Sequence, residues 1–251
     1  MIYKNLILCA LICFVTSCKQ EVYLNRIEGE RLEINDSISS NEVIDNFIKP
    51  YRENVNKNLD SVLAYSVETY SKTDGTLNTA LGNFMADVVL EQSNPVFKSE
   101  TGKDIDMVLL NHGGMRSIIS KGNITSRTGY QLMPFENSVV VVELKGAIIM
   151  EIVAYLQKSK RAHPISNLSI ILDADYKLIE AKINNEPIVQ DKTYYVATND
   201  YLYGGGDNMT FFKKGDNLHF LNYKIRNALI DYFKKVDTIS PAIDNRFIKL
   251  N

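Results

Sequence analysis

Cysteine is nearly missing from this 251-residue sequence: Cys9, Cys13 and Cys18 are all there is, and none follows position 18. A zinc ribbon, a cysteine cluster and an internal disulfide are thereby excluded for the remainder. Histidine is as scarce, with only His112, His163 and His219. An excess of one charge is absent too, since 28 Lys and Arg stand against 30 Asp and Glu for a formal charge of −2. A basic nucleic-acid surface or an anionic-membrane surface is therefore excluded as the main function. The apolar run Leu6 to Val15 falls well short of the roughly 20 residues a spanning helix needs. What is present is a globular composition, 45% hydrophobic and 23% charged. A chain of this length can bury about 70–75% of its unfolded surface, so disorder is excluded for the bulk of it.

The cysteines belong to the leader. Lys4 gives a positive n-region, Leu6 to Val15 an apolar h-region, and Val15-Thr16-Ser17 sets small residues before Cys18. The segment resembles the lipobox cut by the bacterial lipoprotein signal peptidase, which predicts a signal peptide over residues 1–17 and a lipidated Cys18 at the mature N-terminus. The plainer alternative is an ordinary signal peptide that happens to contain Cys18. Residues 18–38 are polar and without periodicity and read as a tether.

Ser39 and Glu42 stand at capping-box spacing, followed by Ile44, Ile48, Tyr51, Val55, Leu59 and Val62 every three or four residues. This predicts an amphipathic connector helix over 39–64, kinked at Pro50. A second helix is predicted from Leu81 to Leu90. Met107 to Leu110 reads as a strand running into the glycine-bearing loop Asn111 to Arg116, NHGGMR. Ser138 to Leu144 is β-branched on both faces, as a buried strand should be, and precedes a helix over Ala147 to Gln157. Strands are predicted at 168–172, 178–183 and 194–198, with Asn184-Asn185 a hairpin turn. A last helix covers Lys224 to Lys235. No repeat or second linker interrupts residues 81–251, so the reading is one α+β, mixed-sheet domain flanked by helices over 65–251, preceded by the connector helix.

Two chemistries are poorly served. A dinuclear metal site needs about six to eight carboxylate, imidazole and amide ligands, and no Asp-x-His or His-x-His motif occurs. No cysteine beyond the anchor and no G-x-S-x-G turn offers a nucleophile. Binding equipment remains. The NHGGMR loop combines backbone donors, the Asn111 carboxamide and the fixed cation of Arg116, suited to phosphate or ribose oxygens or equally to a tight structural turn. Phe135 follows Pro134 in MPFEN, where it reads either as core or as an outward aromatic face. In NDYLYGGGDN, Tyr201 is followed by three glycines and Asp207, a carboxylate able to accept two hydrogen bonds from a vicinal diol. Phe135 and Tyr201 could sandwich a flat base.

Taken in order, LGNFMAD, LLNHGGMRSIISKGNITSRTGYQLMPFENSVVVVELKG, YYVATNDYLYGGGDNM and IRNALIDYFKK followed by DNRFI resemble the C-terminal domain of the 5′-nucleotidase family over roughly Leu81 to Asn251. The Ser39 to Val62 helix is similar to the connector joining that family's two domains. The resemblance implies that Asn111 and Arg116 belong to an N-x-G-G-x-R motif whose arginine meets the phosphate side. It implies that Phe135 and Tyr201 clamp the base, Tyr201 standing where Phe is usual, and that Asp207 takes the ribose hydroxyls. A further arginine that the family places before L-G-N is absent here, where Asp74 to Leu77 carry no cation. In the family a separate metallophosphatase domain carries two metals and the catalytic groups, and too few residues lie between Cys18 and Ser39 for a domain of about 50 or more. The resemblance therefore implies the nucleotide-recognition half of a split 5′-nucleotidase, inactive alone and with no catalytic residue or cofactor of its own. The divalent metals are expected in a partner metallophosphatase. A non-catalytic nucleotide- or nucleoside-binding lipoprotein is the alternative, and a structural or adhesive protein a third. The expected location is the bacterial envelope, anchored through Cys18 to the outer membrane and facing periplasm or surface.

Overall fold

The computed structural model describes residues 23–250; the predicted signal peptide and Cys18 lie outside them. The chain divides into two compact units, Met1–Ile48 and Lys49–Asn251. In the first, residues 23–41 form no regular element apart from a turn in which Asn35 Oδ1 accepts from the Ser37 amide at 3.0 Å. Helix α1 (Glu42–Leu59) follows. Its cap is not the Ser39/Glu42 pair: the Asn41 carboxamide oxygen accepts from the amides of Val43 (3.0 Å) and Ile44 (3.3 Å). The helix continues through Pro50 and ends at Leu59, short of the predicted residue 64, because Val62 already belongs to strand β1 (Val62–Ser66). The apolar stripe has no buried member.

The remaining elements follow in chain order. Helix α2 (Ala80–Thr101) begins where Thr79 Oγ1 accepts from the Gly82 amide at 3.0 Å and ends at Gly102, whose φ of 72° suits a residue without Cβ. It runs through Pro95, well beyond the predicted Leu90. Next come β2 (Met107–Leu109), β3 (Gly122–Thr125), α3 (Ser126–Leu132), β4 (Ser138–Lys145) and α4 (Gly146–Ser159). Then follow β5 (Ile165–Ser166), β6 (Leu168–Leu172), β7 (Leu178–Ile183), β8 (Glu186–Pro187), β9 (Thr193–Asn199) and α5 (Asp200–Tyr203). The described chain closes with β10 (Leu218–Lys224), α6 (Ile225–Lys235), β11 (Thr238–Ile239) and β12 (Phe247–Lys249). The fold is α+β, with mixed sheets flanked by helices.

Among the described residues three sheets form, with strand orders β11-β1-β3, β10-β4-β9-β2-β5 and β12-β6-β7-β8. The five-stranded sheet is the middle layer, and its pleat shows in the sequence. Val139 and Val141 of β4, Val108 of β2 and Ala197 of β9 join one apolar cluster with Phe84 and Val88 of α2 and Leu229 of α6. Their alternates, Val142, Leu144, Met107, Leu109 and Val196, join a second with Ile152 and Leu156 of α4 and Ile170 of β6. A strand buried on both faces must be apolar at successive positions, as VVVV in β4 is. The Asn184-Asn185 turn adopts φ of 51° and 65°, the left-handed pair that a two-residue hairpin requires.

Candidate functional site

Within the middle sheet β4 is antiparallel to β9, and β9 is parallel to β2. The start of β4 and the ends of β9 and β2 therefore lie at the same end of three adjacent strands, across two strand spacings or about 10 Å. Each of the three loops leaving that end carries part of the expected constellation. Asn111 to Arg116 follow β2, Phe135 and Asn137 precede β4, and Tyr201 and Asp207 follow β9. All five sequence-predicted binding residues, Asn111, Arg116, Phe135, Tyr201 and Asp207, line one cavity of about 280 Å³ together with Gly113, Gly114, Met133 and Asn137. That is close to the lower end of the range for small-molecule sites, about 300–1,000 Å³.

Phe135 and Tyr201 are 43% and 48% exposed, so neither ring is spent on the core. The Arg116 guanidinium lies over the Phe135 ring, 5.9 Å from its centroid. Asp207 is the hub: the Asn111 side-chain Nδ2 donates to Oδ2 at 2.9 Å and the Tyr201 hydroxyl to Oδ1 at 3.1 Å. A carboxylate can accept about four hydrogen bonds, so one more per oxygen remains open, the number two vicinal hydroxyls supply. Asp207 has a φ of 51°, an unusual conformation for a residue with Cβ, and its carbonyl accepts from the Tyr155 hydroxyl of α4 at 2.9 Å. Burial, with Asp207 close by, raises the Tyr155 phenol above its ordinary range and keeps it a donor. A Cβ at Gly206 would stand 2.4 Å from the Tyr201 ring and would force that ring to move.

The loops are tied to one another. Asp200 accepts from the Asn137 side chain at 2.9 Å and from the Ser138 amide at 3.2 Å, fastening the end of β9 to the start of β4. The His112 amide donates to His163 Nδ1 at 3.3 Å, and His112 Nδ1 contacts the Ala162 carbonyl at 3.1 Å. Burial, with His112 beside it, brings His163 down to about 4, so the ring is neutral at pH 7. The third histidine, His219 of β10, pairs with Glu143 at 3.0 Å and packs edge-on against Phe97. Among the described residues no group of three or more His, Cys, Asp or Glu is placed to hold a metal ion. The donor set of the described residues does not fit a dinuclear centre.

Sequence reasoning misses Asn137 and Tyr155, and only their place between or beside named motifs hints at them. It also misses Lys72: where residues 74–77 lack a cation, the Lys72 ammonium instead donates to the Met115 carbonyl at 2.8 Å, directly before Arg116. A larger groove, about 500 Å³, runs along Asp87, Ser166, Asp244 and Arg246. There the guanidinium is bound to both carboxylates, so the charged groups already satisfy one another.

The family model for the 5′-nucleotidase C-terminal domain matches residues 60–214. The chain belongs to that family. Among curated proteins it is 28% identical over 206 residues to the cell wall protein Lmo0130 of Listeria monocytogenes, covering 64% of this chain and 26% of that protein. It is 30% identical over 189 residues to the trifunctional nucleotide phosphoesterase YfkN of Bacillus subtilis, covering 68% of this chain and 12% of that protein. The chain thus spans about a quarter or less of the length of these relatives. Among solved structures, the 5′-nucleotidase precursor of Thermus thermophilus shares the fold with a TM-score of 0.69 at 22% identity, over 84% of this chain and 43% of that one.

Proposed function

We propose that this 5′-nucleotidase C-terminal domain recognises the nucleotide for a phosphohydrolase whose divalent metals and catalytic groups sit on a partner metallophosphatase. The observation that carries the reading is the convergence of two exposed aromatic faces, a carboxylate with two open acceptor positions and a guanidinium on one cavity at the end of the middle sheet. Phe135 and Tyr201 hold the base between them, Asp207 accepts from the ribose diol, and Arg116 with Asn111 faces the phosphate. The kinship with a nucleotide phosphoesterase supports this choice of ligand. Kinship with a cell wall protein, together with the lipobox-like leader, supports an envelope location. There the lipid on Cys18 anchors the protein, in our reading, to the outer membrane.

Calorimetric titration of the purified protein with adenosine and AMP tests the site. Stacking is worth about 1–3 kcal/mol per base, so Phe135→Ala and Tyr201→Ala are each expected to weaken binding by about tenfold. Titrations indistinguishable from wild type in the double variant would remove the base clamp. Incubation with AMP and Mn²⁺ separates the catalytic readings. No phosphate release by this protein alone, with release on adding a metallophosphatase that lacks its own C-terminal domain, is the expected pattern. Turnover by this chain alone would sink the division of labour, and binding without any such partner would leave the non-catalytic nucleotide-binding lipoprotein.

A further inference from the structure

The cavity is lined by Phe135 and Asn137, yet the residue between them, Glu136, points elsewhere and meets two cations at the junction of β10 and α6. Arg226 Nη2 pairs with one Glu136 oxygen and Lys224 Nζ with the other. Arg226 is only 5% exposed although it carries a full charge. Its Nη1 also donates to the carbonyls of Pro134 and Phe135, both at 3.3 Å, and its guanidinium lies 4.2 Å from the centroid of the Tyr130 ring of α3. The α6 backbone joins in, the Ile225 amide donating to the Asn137 carbonyl at 3.1 Å. A buried guanidinium is costly to place and is kept where its fork fixes several partners at once. Here those partners are the backbone and side chain of one short loop, and neither Arg226 nor Glu136 lines the cavity.

We propose that Arg226, acting through Glu136, is a positioning residue that presets the Phe135 ring and the Asn137 side chain for the base of the nucleotide. The proposal rests on the reading of the cavity as a nucleotide site. Holding the loop before the ligand arrives removes an ordering cost that binding would otherwise meet. The effect is therefore specific to contacts made through this loop, whereas a merely structural role would act independently of Phe135.

Calorimetry with adenosine on the whole chain separates the two. Glu136 has a side chain 65% exposed, so Glu136→Gln removes the loop anchor without opening the core. It is expected to weaken adenosine about fivefold in the wild-type background and less than about twofold when Phe135 is already alanine. Arg226→Lys keeps a charge for Glu136 but loses the fork to the two carbonyls, and is expected to fall between wild type and Glu136→Gln. If Phe135→Ala weakens adenosine while Glu136→Gln and Arg226→Lys bind as wild type, the positioning role is overturned and the site stands. The positioning role is equally overturned if the Glu136→Gln penalty is undiminished in the Phe135→Ala background. If the wild type gives no heat with adenosine, guanosine or uridine, the nucleotide reading of the cavity falls and takes the positioning role with it.

Discussion

Tyr201 does two jobs with one side chain. Its ring lies against Gly206, and its hydroxyl donates to the Asp207 carboxylate at 3.1 Å, so the aromatic face proposed for the base also orients the acceptor proposed for the ribose. Phenylalanine, which the family resemblance makes the usual residue here, could supply only the face. Tyr201→Phe is accordingly expected to weaken adenosine by about fivefold, the worth of one typical hydrogen bond of about 1 kcal/mol. It should leave 2′,3′-dideoxyadenosine, which has no diol for Asp207, unchanged. Competition binding with the two nucleosides measures both. Equal losses would mean that the hydroxyl acts on the ring rather than on the carboxylate.

At the scale of elements, the connection from α4 to β5 shows how the site is braced. The Leu110 amide donates to the Pro164 carbonyl at 2.9 Å and the His112 amide to His163 Nδ1, so this connection is zipped to the loop after β2. His163 is buried and faces His112, Asp207 and Arg161. Its folded value near 4 lies below the ordinary 6.5, chiefly through burial. The unfolded chain therefore takes up a proton as pH falls through 6.5 while the folded chain does not, and stability drops between pH 6.5 and about 4. The full loss corresponds to about 3 kcal/mol. His163→Asn keeps an acceptor for the His112 amide and removes the titration. Its melting temperature should fall less steeply over that interval than that of the wild type, and parallel curves would refute the assignment.

The same scale shows what is legible in the sequence. Strands β6 and β7 match their predicted bounds because Leu168–Leu172 is apolar-rich and two asparagines mark the turn after β7. Strand β10 escapes prediction. It is an edge strand whose pairing with β4 shifts between Phe220 and Lys224, with Asn222 at a φ of 49°, so its side chains do not alternate cleanly. Helix α2 is predicted too short: it runs on from Leu90 through Pro95 to Thr101. The cavity residues are legible as an ordered series of motifs, but Phe135 alone could be core, and nothing local links Glu136 to Arg226 across 90 positions. Such contacts are set by the order of strands in the middle sheet.

In the larger unit, the segment after residue 214, beyond the family match, completes the fold. Leu221, Ile225, Leu229, Phe233 and Ile239 are buried in the cluster on one face of the middle sheet, and Phe247 in the cluster on the other. Phe233 stacks on Phe84 of α2 with centroids 5.8 Å apart. Polar groups hold the last segment in place. Asn83 donates to the Ala242 carbonyl at 3.0 Å, Asn78 to the Phe247 carbonyl at 2.9 Å, and Arg246 bridges Asp87 and Asp244. Burying each of those apolar side chains contributes about 1.5–3 kcal/mol, so together they match the whole net stability of a typical domain, about 5–15 kcal/mol. A chain ending at Lys214 would also leave one edge of β4 without its partner β10. Such a chain is expected to show no cooperative thermal transition by circular dichroism and to bind no adenosine, since the middle sheet that holds the three site loops loses its packing. A cooperative melt within a few degrees of the full chain would show instead that the matched span folds by itself and that the closing strands and helix are dispensable.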